Sequence, residues 1–189
     1  MRQDKIFIKL RKNQTVFPVE HLHENLLSLE FSGEGVEELP EAIGHCHKLE
    51  TLVITALNVE WLPKSIAQLP ALKILKIKAN ISHLFEIPPD WSNLQTLQIN
   101  HSSLKSIPHW IKNFSQLETL NLSHNKLMQA PPEIIQLPNL RRLNLEHNQI
   151  KTFPFDPQQL IALNHLSLDD NPISDDEKAR IERTFGIWF

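Results

Sequence analysis

Cysteine, glycine and net charge are all scarce in this sequence, and each scarcity removes a class of explanation. Only one cysteine, Cys46, is present. Alone it cannot close an internal disulfide, so the fold owes nothing to an oxidising compartment. The 4 glycines form no Gly-rich phosphate loop, and no Ser or Thr stands in a nucleophile motif. A formal net charge of -3 lies too near neutrality for a nucleic-acid binder, which ordinarily carries a basic patch. No run approaches the roughly 18 apolar residues that a membrane span needs, so membrane insertion is not expected. The opening residues 1–10 are charged every few positions and lack the apolar core of a signal peptide. A cytoplasmic location is expected, or export by a route without a cleaved leader.

What the chain does have is 41% hydrophobic residues, enough for a continuous core, and 13 prolines across 189 positions. Those prolines mark places that want φ fixed and an N–H removed. The hydrophobic residues recur. From Leu117 the pattern runs Leu120, Leu122, Asn125, Leu127, Ala130-Pro131, Ile134 and Leu137, and begins again at Leu140. Equivalent starts lie at Leu26, Leu49, Leu72, Leu94 and Leu163, at intervals of 23 residues with a single 22 between Leu72 and Leu94. A fixed period of this length is the mark of a stacked repeat.

Each part of the unit has a physical reading. Leu120-x-Leu122 alternates like a strand with one buried face. The asparagine three residues later, at Asn80, Asn125, Asn148 and Asn171, hydrogen-bonds backbone groups where the chain turns a corner. The Leu-Pro step returns the chain along the other side, where so short a unit accommodates extended or 3₁₀ segments rather than full helices. No copy buries its own leucines, so the copies stack into one core with a parallel sheet.

The segment Leu117-Glu118-Thr119-Leu120-Asn121-Leu122-Ser123-His124-Asn125-Lys126-Leu127 resembles the leucine-rich-repeat signature. Leu39-Pro40-x-x-Ile43 and Leu62-Pro63-x-x-Ile66 are similar to its LPxxI subtype, found in cytosolic Ras-pathway scaffolds and in bacterial proteins that include secreted effectors. The resemblance implies an α/β fold: a right-handed horseshoe solenoid with a parallel concave sheet, a mostly extended or 3₁₀ convex side and a short C-terminal capping helix. Residues 1–25 read as a degenerate capping repeat, out of phase, 26–173 as seven repeats and 174–189 as the C-terminal cap. There the pattern Ser174-x-x-Glu177 predicts a capping box. Ile181 and Phe185 share one face of the expected helix, Gly186 ends it, and Ile187-Trp188-Phe189 folds back onto the core. Leu57 and Glu34 stand at the asparagine position in two early copies, Ser102 replaces it in another, and the short copy after Leu72 predicts a bulge over 81–85.

An open solenoid of this kind meets partners on its concave face. One outward column there runs Lys76, Gln98, Asn121 and Asn144, and a second Lys78, Asn100, Ser123, Glu146 and Asp169. A third is Gly33, Ala56, Ala79, His101, His124, His147 and Asp170, while Arg142 and His165 flank the first. The lysines mark the middle of this face and the acids its C-terminal third, which would draw a partner bearing a basic patch. The three stacked histidines suggest either zinc ligation with Asp170 or a pH-responsive patch. A flat ladder lacks tetrahedral geometry, so no metal is expected. His45 and His47 flank Cys46, but alternation buries the cysteine and splays the histidines. Trp61 and Trp110 fall outside the regular apolar positions and are candidate aromatic anchors, whereas Trp91 occupies a core position.

The expectation is therefore a monomeric, non-catalytic protein-binding module. No cofactor, small-molecule substrate or nucleic-acid partner is expected, nor a catalytic module beyond the cap. A composition rich in Asn, Gln, Ile and Lys points to a bacterial origin. An exported effector acting on a host protein, or a scaffold of the producing cell, are the two settings.

Overall fold

The computed structural model describes residues 4–185. Eight strands succeed one another: β1 (Lys5–Lys9), β2 (Ser28–Ser32), β3 (Thr51–Ala56), β4 (Ile74–Ala79), β5 (Thr96–Asn100), β6 (Thr119–Asn121), β7 (Arg142–Asn144) and β8 (His165–Ser167). They form one parallel sheet in chain order. A constant interval places equivalent leucines side by side, and Leu29, Leu52, Leu75, Leu97, Leu120, Leu143 and Leu166 are register partners in succession. All of them are buried in one core running the length of the sheet. The front segment is in phase with the coils, contrary to the sequence expectation. Ile6 pairs with Leu29 and Ile8 with Phe31, because the same 23-residue step separates them.

The opposite side is built from 3₁₀ segments at Glu41–His45, Lys64–Gln68, His109–Asn113 and Pro132–Gln136, with shorter ones at Val19–His21 and Pro157–Gln159. Pro40, Pro63, Pro108 and Pro131 immediately precede the four longer segments. Their fixed φ suits the extended approach, and no N–H is lost from the turn that follows. Neighbouring segments lie very close. A Cβ on Gly44 would stand 2.3 Å from the Cβ of Ser65, so only glycine fits there. Glu41 stitches the same pair of coils, its carboxylate accepting the backbone N–H groups of Lys64 and Ser65 at 3.1 and 2.9 Å. Bonds from Ser65 above all hold that carboxyl below its ordinary pKa.

The coil between β4 and β5 carries no 3₁₀ segment, and residues 81–90 run as bends with Ile81 and Leu84 turned into the core. The predicted bulge is thus an irregular return. At the far end, helix α1 (Asp175–Phe185) begins with Ser174 Oγ accepting the Glu177 N–H at 3.3 Å. Only half of the expected capping box forms. The Glu177 carboxylate is turned to the Phe153 N–H at 2.7 Å and to Arg180, whose guanidinium donates to the carbonyls of Phe153 and Phe155. This clamp and the buried Ile181 dock α1 on the last coil. The expectations for the Phe185 side chain, Gly186 and residues 187–189 lie outside the described residues.

Candidate functional site

How the chain leaves each strand decides what it displays, and two kinds of corner occur. In the second half the residue two beyond the second inward apolar residue of the coil (Ile99, Leu122, Leu145, Leu168) takes a left-handed backbone: φ is 51° at His101, 54° at His124, 51° at His147 and 56° at Asp170. That turn swings the next residue inward. Asn125, Asn148 and Asn171 each accept a backbone N–H of the preceding coil at 3.0–3.1 Å and donate to carbonyls of that coil and their own. Ser102 takes the same position and donates to the Ala79 carbonyl.

In the first half strand alternation continues for one more inward residue, so Gly33, Ala56 and Ala79 are buried. This corrects two expectations. Those three residues do not face outward as the start of the histidine column, and Asn80 is exposed rather than part of the asparagine ladder. The small size of the preceding residue is the reason: glycine or alanine fits inside the core at the strand end, whereas a histidine must be turned out.

Turned out together, the imidazoles stack. His101 and His124 lie 4.1 Å apart between ring centroids at 12°, His124 and His147 4.1 Å apart at 17°. Asp170 closes the row, its Oδ2 3.2 Å from His147 Nδ1. Desolvation first, then the nearby His124, Lys78 and His147, hold His101 below the ordinary imidazole value of 6.5. Stacked rings aim their nitrogens in parallel, and among the described residues no group of three or more ligating side chains converges on a metal.

Beside this row the outward columns keep strict register. Lys76 pairs with Gln98, Lys78 with Asn100, Gln98 with Asn121, Asn121 with Asn144, and Arg142 with His165. Asn121 and Asn144 are fixed in place, their side-chain oxygens accepting the N–H groups of Ser123 and Glu146 at 2.9 Å. Asn144 also donates to the Glu146 carboxylate at 3.1 Å. Arg142, His165 and Asp169 are exposed, and Lys76, Lys78, Gln98, Asn100, Asn144 and Glu146 partly so. Ser123 is a correction. It is only 5% exposed, a short side chain recessed between the longer Asn100 and Glu146 of its column.

The tryptophans divide. Trp110 is 6% exposed and is not a surface anchor. Its indole N–H donates to the Phe85 carbonyl at 2.9 Å and its ring meets Trp91 edge-on at 6.4 Å. Trp91 in turn donates to the Ile66 carbonyl at 3.0 Å and packs against Phe85 and Phe114. Together these rings fill the space where the short coil has no 3₁₀ segment. The 22-residue interval was the signal that this void existed. Trp61, by contrast, is 49% exposed. Its neighbours Glu37, Leu57 and Glu60, with Asn58 and Asn80, line a cleft of about 520 Å³. Sequence reasoning picked out the tryptophan but not these companions; the signal was Leu57, a large apolar residue directly after the inward Ala56. Cys46 is a buried free thiol whose pKa burial raises, while His45 and His47 on either side are exposed. Among the described residues no helix is long and apolar enough to cross a membrane.

Family models for the R13L1/DRL21 leucine-rich repeats and for paired leucine-rich repeats match residues 85–148 and 138–178. No curated protein matches the chain. Among solved structures, an internalin from Listeria monocytogenes is 22% identical with a TM-score of 0.69, over 88% of this chain and 48% of its own. The PEPR1–AtPEP1 structure is 27% identical with a TM-score of 0.68, over 81% and 23%. The Arabidopsis receptor kinase HAESA, solved with the peptide hormone IDA and the co-receptor SERK1, is 21% identical with a TM-score of 0.72, over 94% and 32%. This chain therefore spans less than half of each of those structures. Repeat spacing, the single parallel sheet and these matches converge: the chain is a leucine-rich-repeat protein.

Proposed function

We propose that the chain is a non-catalytic interaction module that holds a protein partner across its concave sheet, with residues 26–173 presenting the surface and the segments on either side closing its ends. The observation that carries this reading is the ordered strip of polar side chains held in strict register from Lys76 through Gln98, Asn121 and Asn144 to Ser167. Part of that strip is fixed before any partner arrives, since Asn121 and Asn144 are already bonded. Adjacent strands lie about 4.8 Å apart, so eight of them span roughly 35–40 Å, the scale of a protein surface or an extended peptide. The partner-facing residues are Lys76, Lys78, Gln98, Asn100, Asn121, Arg142, Asn144, Glu146, His165 and Asp169, with the histidine row along one edge. Acids at the C-terminal end favour a partner presenting a basic patch there. At the level of the fold, the receptor kinase solved with a peptide hormone uses a solenoid of the same type.

The test is affinity purification with the intact chain and with Arg142→Ala, Glu146→Ala and Asp169→Ala combined. Capture of a protein by the parent and its loss from the variant is the expected result. Equal capture by both sinks the concave-face reading. Within this function we favour an exported effector acting on a host protein, on composition; a scaffold of the producing cell is the other setting. Detection outside the producing cell, or inside an infected one, separates them.

A further inference from the structure

Three tryptophans lie within the described residues, and one of them breaks a pattern. The buried Trp91 and Trp110 each give the indole N–H to a backbone carbonyl of the preceding coil. Among the described residues Trp61 has no such partner, and it stands half exposed beside Leu57, which is 45% exposed. Large apolar groups side by side on a surface mark a contact site. The cleft they border opens on the flank where β3 and β4 end, and it draws on three successive coils: Glu37, then Leu57 to Trp61, then Asn80.

The charge of this cleft is one-sided. Two carboxylates, Glu37 and Glu60, line it with no lysine, arginine or histidine among its walls. Neither carboxylate has an ion-pair partner among the described residues. The walls are otherwise fixed. Asn58 donates to the Glu34 carbonyl at 2.8 Å, and Asn80 accepts the Ser103 hydroxyl at 3.2 Å. A half-exposed indole, two carboxylates without ion-pair partners among the described residues, and braced amides are complementary to a cation, and they repel an anion. Of the biological cations, guanidinium fits best: it is planar, it stacks on indole while donating bidentately to a carboxylate, and it sheds water more readily than an ammonium. At about 520 Å³ the cleft has room for a whole side chain.

We propose that this cleft is a seat for an arginine side chain presented by a protein partner. The seat lies on the flank rather than among the concave columns and stands without them. Replacing Arg142, Glu146 and Asp169 leaves it untouched, so the two readings fail separately.

The test follows the Trp61 indole ¹H–¹⁵N resonance in the full chain at low salt, assigned by its disappearance in Trp61→Phe. Acetyl-arginine-methylamide is the probe, acetyl-citrulline-methylamide its uncharged counterpart, and acetyl-lysine-methylamide the alternative cation. The expected result is a saturable shift with the arginine probe and none with citrulline. Binding should be weaker for lysine and about fivefold weaker again for the arginine probe against Glu37→Gln/Glu60→Gln, in line with exposed charge pairs. Core amide resonances report that each variant stays folded. An absent shift, an equal response to citrulline, equal affinity for lysine, or unchanged arginine binding by the double variant overturns the proposal.

Discussion

At His101, His124, His147 and Asp170 the backbone occupies a region that L-residues visit reluctantly, histidine and aspartate less so than most. Each is followed by an inward Ser or Asn, so the strain is what places the next side chain. Replacing His124 with valine, whose branched Cβ suits that region worst, is expected to cost about 1–2 kcal/mol more than replacing it with glycine; thermal melting of the two variants measures the difference. The asparagines carry more. Asn148→Ala strands the Leu127 N–H and removes the bonds to Leu122 and Leu145. The expected cost is about 2–3 kcal/mol, whereas Asn80→Ala, at an exposed site, stays within about 0.5 kcal/mol. Denaturant titration distinguishes the two, and an equal cost would mean that Asn80 belongs to the ladder after all. His101 is expected to titrate below 6.5 by NMR and to rise toward that value in His124→Gln. Because its folded pKa is the lower one, the unfolded chain takes up the proton first. Any stability tied to His101 is whole above pH 6.5 and declines as pH falls below it.

Among the elements, α1 is held by a charged clamp as well as by Ile181. Burial alone would raise the Glu177 pKa, but bonds from Arg180 and the Phe153 N–H outweigh it and leave it lowered. The contribution of the clamp is therefore complete above the ordinary carboxylate value near 4.5 and is lost as pH drops through the lowered one. Hydrogen exchange in α1 should accelerate over that interval ahead of exchange in β6 and β7, and Glu177→Gln should abolish the acid step; simultaneous loss in all three elements would refute it. The strands, the sheet order and the Leu-Pro returns were legible in the sequence, because all depend on a period that a single chain displays. The corners were not. Asn80 aligns with the ladder by counting, and only packing shows that the preceding Ala79 has taken the inward place. The burial of Trp110 was equally hidden, since a missing residue leaves a void whose filler lies in the next coil.

For the whole molecule, coil-to-coil bonding is local, and the asparagine bonds repeat in kind at the corners after β6, β7 and β8. Stability in such an array is close to a sum over coils and their interfaces. The unit 117–139 begins and ends at the same point of the pattern, so a second copy placed after residue 139 meets matching neighbours on both sides. The lengthened chain is expected to fold and to melt no lower than the parent; a lower melting temperature would show that the coils are not independent.

The left-handed corners give that modularity an additional meaning. Since the corners at His101, His124 and His147 set each ring directly over the last, duplicating the His124 unit would lengthen the imidazole column by one plate and the display strip by about 4.8 Å. Reach and proton-binding capacity thus grow together, in whole steps, by copying a single stretch of the gene.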